Sequence, residues 1–157
     1  MLKYVDYNIV FQEIPGETTL AVNISNCPNY CIDCHSPELR EDIGVILDET
    51  ELNKLYKRYG GLITCICFMG GDSSPDRVEE LAIYVEKLSG GGIKTAWYSG
   101  NNMFPESCTP KSFNYIKLGE YIRERGGLNS PSTNQRMYQI EQGEFKDITH
   151  LFLKKLR

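Results

Sequence analysis

A chain of 157 residues, 41% of them hydrophobic, can bury a core without disulfides or metals as staples, and residues 1–157 read as a single domain. Its formal net charge of −4 argues against a general nucleic-acid or membrane-surface binder, since both need a basic face to attract phosphate. No stretch approaches the roughly 18 apolar residues of a membrane span, and Met1–Asp6 has no signal-peptide core, so a cytoplasmic location is expected.

Taken in chain order, Ile9–Phe11 reads as a strand, Pro15-Gly16-Glu17 as a turn, and Thr19–Ile24 as a second strand with Leu20, Val22 and Ile24 on one face. Pro28, Asn29 and Asp33 mark the next segment as loop. A helix is expected to start at Asp48 as N-cap, to bury Leu52, Leu55, Tyr56 and Tyr59, and to end at Gly60-Gly61. Leu62–Phe68 is a nearly continuous apolar run, as in a buried parallel strand, and leads into a glycine turn at Met69-Gly70-Gly71-Asp72. Ser74 and Pro75 suit the N-cap and N1 positions of a second helix, whose stripe is Val78, Leu81, Ala82, Val85 and Leu88 and which closes at Gly90-Gly91-Gly92. Strands then follow at Ile93–Tyr98 and Phe113–Leu118. The tail Asp147–Arg157 reads as a short docking helix, with His150 structural. Strands alternating with helices predict an α/β fold around a mainly parallel sheet, with ligands at the carboxyl ends of its strands.

Three of the six cysteines, Cys27, Cys31 and Cys34, crowd into eight residues with C-x3-C-x2-C spacing. In a reducing compartment such thiols are more often metal ligands than disulfides. Three thiolates on one short loop suit three corners of an iron–sulfur cube and leave the fourth iron open to an outside ligand. Structural zinc is the alternative, with His35 or Cys65 as fourth ligand, although zinc sites usually come as two separated pairs. Three unrelated buried thiols are a third reading. Cys65 and Cys67 point the same way on a strand and read as small core residues, and with Cys108 they make no second cluster.

Gly70 and Gly71 let main-chain carbonyls approach a ligand, and Asp72 beside them can receive an ammonium group. Ser99 and Lys117, at the ends of the following strands, offer a hydroxyl and an ammonium to a ligand carboxylate. Alone, a turn serine and a solvated lysine are the usual readings of the two.

Together, Cys27-Pro28-Asn29-Tyr30-Cys31-Ile32-Asp33-Cys34 resembles the signature of the radical S-adenosylmethionine superfamily, and Met69-Gly70-Gly71-Asp72 resembles its second motif. With Ser132-Thr133-Asn134-Gln135-Arg136 added, the chain is similar over roughly residues 8–138 to the anaerobic ribonucleoside-triphosphate reductase activating proteins. Asp33 and Met69 depart from the residues usual at those positions. The resemblance implies a minimal, partial and open (β/α)6-type radical SAM barrel. It implies a [4Fe-4S] cluster on Cys27, Cys31 and Cys34, with S-adenosyl-L-methionine chelating the open iron. Gly70, Gly71 and Asp72 would face its amino group, Ser99 and Lys117 its carboxylate, and His35 its adenine. The implied reaction is reductive cleavage of that cofactor and removal of hydrogen from a glycine of the large reductase subunit, with a flavodoxin or ferredoxin-type electron donor. No general acid or base apart from the cluster is required. Asn134, Gln135 and Arg136 are candidates for contact with the partner. An activase of another glycyl-radical enzyme, a small radical peptide modifier and a zinc-stabilised binding module are the rival readings.

Overall fold

The computed structural model describes residues 1–28 and 41–153. Period-two apolar patterning in Thr19–Ile24 and apolar runs in Cys65–Met69, Lys94–Tyr98 and Tyr115–Leu118 produce the centre of one sheet. Its strands are β1 (Lys3–Val10), β2 (Thr19–Ile24), β3 (Val45–Ile46), β4 (Cys65–Met69), β5 (Lys94–Tyr98), β6 (Tyr115–Leu118), β7 (Arg136–Glu141) and β8 (Glu144–Asp147), and they lie in the order β3-β1-β2-β4-β5-β6-β7-β8. The central pairs β2/β4, β4/β5 and β5/β6 are parallel. β1 and β3 on one side, and β7 and β8 on the other, run antiparallel to their neighbours.

Two α-helices, α1 (Glu49–Tyr59) and α2 (Pro75–Ser89), pack on one face of the sheet. Asp48 caps α1 as expected, its side chain accepting from the Glu51 N–H, whereas Ser74 makes no side-chain cap and α2 starts on Pro75. α2 buries Val78, Leu81, Ala82 and Val85 against Phe68, Trp97 and Ile116. The opposite face gathers Cys65, Cys67, Ala96, Tyr115 and Met137 under Ile14, Leu128 and Ile148. Alternation along β4 accounts for the division: Ile66 and Phe68 face the helices, Cys65 and Cys67 the other side.

This is not the partial (β/α)6 barrel that the resemblance implies. Such a unit needs a helix on each crossover, and among the described residues only two α-helices are present. Residues 99–114, between β5 and β6, contain Gly100, Pro105 and Pro110 and no 3.6-residue apolar period, so they form only a 3-10 turn at Pro110–Ser112. Residues 119–135, with Gly119, Gly126, Gly127 and Pro131, make no helix either, and the chain returns antiparallel as β7. Antiparallel strands flank the parallel run on both sides, giving an open, mixed, eight-stranded sheet.

The first strand is longer than its apolar core indicates, and Phe11 lies beyond it and is exposed. The described part of the tail is a 3-10 turn, Thr149–Phe152, in place of a docking helix; Leu156 lies outside the described residues. No helix among the described residues is long and apolar enough to cross a membrane.

The amino ends of the parallel strands are tied together by Glu17. Its carboxylate accepts from Thr64 Oγ1 at 2.7 Å, Lys94 Nζ at 2.9 Å and Tyr115 Oη at 2.8 Å. Burial alone would raise this carboxyl, but the three hydrogen bonds outweigh it and hold it below the usual range. A depressed folded-state value contributes stability above the unfolded carboxyl value, and that stability is lost as pH falls through the folded one. Glu17→Gln is therefore expected to lower stability by about 1–2 kcal/mol at pH 7 and by progressively less as pH falls below the ordinary Glu value near 4.3. Urea denaturation at pH 7 and pH 3.5 checks this; an equal difference at both would contradict it.

Candidate functional site

Because β2, β4, β5 and β6 are parallel neighbours, the segments leaving their carboxyl ends emerge along one edge of the sheet. Cys27 follows β2, Gly70–Asp72 follow β4, Ser99 follows β5, and Lys117 and Gly119 stand at the end of β6. Cys27 is half-buried. Asn26, just before it, has φ 59°, and its N–H donates to Glu41 O at 2.9 Å. The chain thus leaves β2 and re-enters the described structure at one point. Cys31, Cys34 and His35 lie outside the described residues, as does Asp33.

Asp72, Ser99 and Lys117 form one hydrogen-bonded unit. The Ser99 hydroxyl donates to Asp72 Oδ1 at 2.6 Å, and the Gly100 N–H donates to Oδ2 at 2.8 Å. Lys117 is 7% exposed, and its ammonium donates to Ser99 O at 3.0 Å and Gly119 O at 2.7 Å, with the Tyr98 ring 5.8 Å away. Ser99 is fully buried and gives its single hydroxyl proton to Asp72, so it positions that carboxylate. A half-buried carboxylate and a buried ammonium are thereby joined through one serine.

The two glycines serve packing as well as the turn. Gly70 has φ 109° and Gly71 φ 90°, the left-handed region that side chains rarely adopt. A Cβ on Gly71 would fall 2.6 Å from Val78 Cγ2, and one on Gly70 would fall 3.2 Å from Ile24 O. Their carbonyls already have donors inside the protein: Trp97 Nε1 to Gly70 O at 2.7 Å and the Ser74 N–H to Gly71 O at 3.0 Å. Each carbonyl keeps a second lone pair. Gly71→Ala is expected to destabilise by about 2–3 kcal/mol, through the positive φ and the Val78 contact, as measured by urea denaturation. An unchanged midpoint would contradict that account.

The remaining candidates spread along the same end of the sheet and beyond it. Lys117 pairs with Met137 across β6 and β7, and Gln135 stands immediately before β7. Asn134 Nδ2 donates to Glu120 O at 3.0 Å. Arg136 is exposed and pairs with Asp147 at 3.6 Å. Register carries a row across the helix-free face from Asn23 to Met69, Tyr98, Lys117 and Met137. Of these, sequence reading singled out only Lys117 as a site residue. The strand alternation was available as a signal, but the pairing of β6 with β7 was not.

Cys65 lies at the amino end of β4, opposite the start of β2, whereas Cys27 follows the carboxyl end of β2. At about 3.3 Å per residue the length of β4 alone puts these ends some 13 Å apart, so Cys65 is no fourth zinc ligand beside Cys27. Burial and the nearby Glu17 charge push the Cys65 thiol up to about 12, and burial pushes Cys67 well above its ordinary value. Both stay protonated at neutral pH, as core thiols do. No group of three His, Cys, Asp or Glu side chains placed to hold a metal occurs among the described residues, which supply one of the three candidate cluster thiols.

Of the partners that the groups implied by the resemblance require, the described residues supply those for an amino-acid end and one of three cluster thiols. A carboxylate and an ammonium held as one unit complement the amino and carboxylate ends of an amino acid such as the methionyl part of S-adenosylmethionine. Cys27, half-buried on the same edge, supplies a soft ligand of the kind iron–sulfur clusters take. Comparison with family models, with curated proteins and with solved structures finds no match.

Proposed function

We propose that this chain is a cytoplasmic activase that uses a [4Fe-4S] cluster and S-adenosyl-L-methionine to place a radical on a glycine of an anaerobic ribonucleotide reductase. Cys27, Cys31 and Cys34 would hold the cluster, and Asp72 and Lys117, oriented by Ser99, would hold the amino-acid end of the cofactor. The chemistry supplied by the bound pair is one-electron cleavage of the sulfonium and removal of a hydrogen atom from the partner's glycine. One observation carries this reading: Cys27, the Gly70–Asp72 turn, Ser99 and Lys117 converge on a single edge of the sheet.

The protein's own part is orientation. The Ser99 hydroxyl and Gly100 N–H fix both oxygens of Asp72, and Lys117 fixes the backbone on either side of the gap between β5 and β6. Prepaid ordering of this kind brings reacting groups together without new entropy loss at the moment of reaction. The partner would be the large reductase subunit, with electrons from a flavodoxin or ferredoxin-type protein. Sequence from Gly126 to Tyr138 would contact the glycine-bearing segment.

Anaerobic reconstitution with iron and sulfide, followed by metal and acid-labile sulfide analysis, tests the proposal. About four irons and four sulfides per chain, with a glycyl radical on the reductase after addition of cofactor and reductant, are expected. Stoichiometric zinc with no sulfide would replace this reading with a zinc-stabilised binding module. Cluster and cofactor cleavage with no radical on the reductase would move the target to another protein.

A further inference from the structure

Among the described residues β8 is the outermost strand on its side of the sheet, and all four of its residues are exposed. Its pairing with β7 shows which main-chain groups are left over. Register matches Glu141 with Glu144, Ile140 with Phe145, Gln139 with Lys146 and Tyr138 with Asp147, and one step further the Ile148 N–H donates to Met137 O at 2.8 Å. Hydrogen-bonded pairs alternate with non-bonded ones in an antiparallel ladder. Glu144 and Lys146 therefore bond inward to β7, and Phe145 turns its N–H and C=O outward. An edge of this kind is a template for another strand unless charge or twist guards it. At its centre stands an aromatic side chain in place of a charge: Phe145 is 40% exposed although it packs on Phe104 at 5.7 Å and Tyr138 at 5.2 Å. The charges flank it, Glu144 on one side and Lys146 on the other, and they are of opposite sign.

We propose that β8 pairs with the β8 of a second copy of this chain, antiparallel about a twofold axis at Phe145. Main chain and charge select that register independently. An axis at Phe145 sets the outward N–H and C=O of one Phe145 against those of the other as a hydrogen-bonded pair, whereas an axis between two residues sets outward groups against inward ones and makes no bond. With the axis at Phe145, Glu144 of each copy faces Lys146 of the other in the closer, non-bonded positions. An axis at Glu144, Lys146 or Asp147 instead sets like charges face to face. Lys146 would lie between Glu141 of its own chain, 3.7 Å away, and Glu144 of the second copy. Four residues at about 3.3 Å each give a contact some 13 Å long, short of a standard interface, so the dimer is a weak one with a dissociation constant of about 10–100 µM. This goes beyond the activase reading and does not depend on it, since β8 lies five strands from β2, which leads to Cys27.

Sedimentation equilibrium of the full chain between about 5 and 500 µM, at low salt and under anaerobic, reducing conditions that prevent cysteine cross-links, tests the pairing. The wild type should pass from monomer to dimer mass across that range. Glu144→Lys and Lys146→Glu, each alone, should associate at least tenfold more weakly, because each sets two like-charged pairs face to face. An equimolar mixture of the two variants, in which every facing pair is again of opposite sign, should regain wild-type association. Both side chains are exposed, so each variant should melt within a few degrees of wild type. Wild-type protein that stays monomeric throughout would overturn the proposal, as would single variants that associate like wild type or a mixture no better than its components.

Discussion

Replacing Cys31 by alanine is expected to abolish cluster assembly, taking iron and sulfide content from about four each per chain to the background of unreconstituted protein. The argument is one of ligand count. The triplet Cys27, Cys31 and Cys34 supplies three thiolates, and the other described cysteines are no reserve: Cys65 and Cys67 are buried with raised thiol values, and Cys108 is buried on a separate loop. Loss of one of three ligands leaves a cube held by two, which does not survive chelation. Fold and cluster are expected to separate here, because Cys27, the one cluster thiol among the described residues, lies in neither of the two apolar clusters that hold the sheet. Circular dichroism of the apo variant should match the apo wild type. A full iron complement in Cys31→Ala would sink the ligand assignment.

Lys117→Met is expected to have the second largest effect, on stability and cofactor binding together. Removing the ammonium leaves Ser99 O and Gly119 O without its two charge-assisted bonds, at 3.0 and 2.7 Å, in a place water barely reaches. Such bonds contribute about 1.5–3 kcal/mol each, and relief from burying a charge offsets part of this, so a net loss of about 2–4 kcal/mol is expected. Because Ser99 also positions Asp72, S-adenosylmethionine affinity should fall at least tenfold in calorimetric titration of the folded variant. Lys94→Met, a half-exposed lysine paired with Glu17 at the opposite end of the strands, should leave cofactor affinity unchanged. Equal affinity in Lys117→Met and wild type would remove Lys117 from the site.

Much of the central sheet was legible because its determinants are local. The runs Leu62–Phe68, Ile93–Tyr98 and Phe113–Leu118 led to β4, β5 and β6, each of which starts one to three residues later than its run, and Asp48 and Pro75 marked the two helix starts. The parallel pairing of β2, β4 and β5 followed from helices lying between strands, and with it the placing of Gly70–Asp72 and Ser99 on one edge, whereas β6 with Lys117 joins them through a crossover that holds only a 3-10 turn. Legibility ended where the determinants become long-range. The hairpin of β7 and β8 turns on Gln142-Gly143, both with positive φ, a two-residue turn signal present in the sequence and passed over. The barrel failed for a different reason. The resemblance carried a fold over whole, while residues 99–114 and 119–135 lack the apolar period that would make its helices. The chemistry of Asp72 and Ser99 was readable as residue types, but not their bond to each other, since 27 residues separate them.

Electron paramagnetic resonance of the anaerobically reconstituted, reduced protein, recorded with and without S-adenosylmethionine, tests the central claim most directly. A reduced [4Fe-4S] signal whose g-values shift on addition of the cofactor is the predicted result, since only an iron with an open coordination position responds to it. Well-folded protein that gives no cluster signal, or a signal indifferent to S-adenosylmethionine, would contradict the proposed site and the activity built on it.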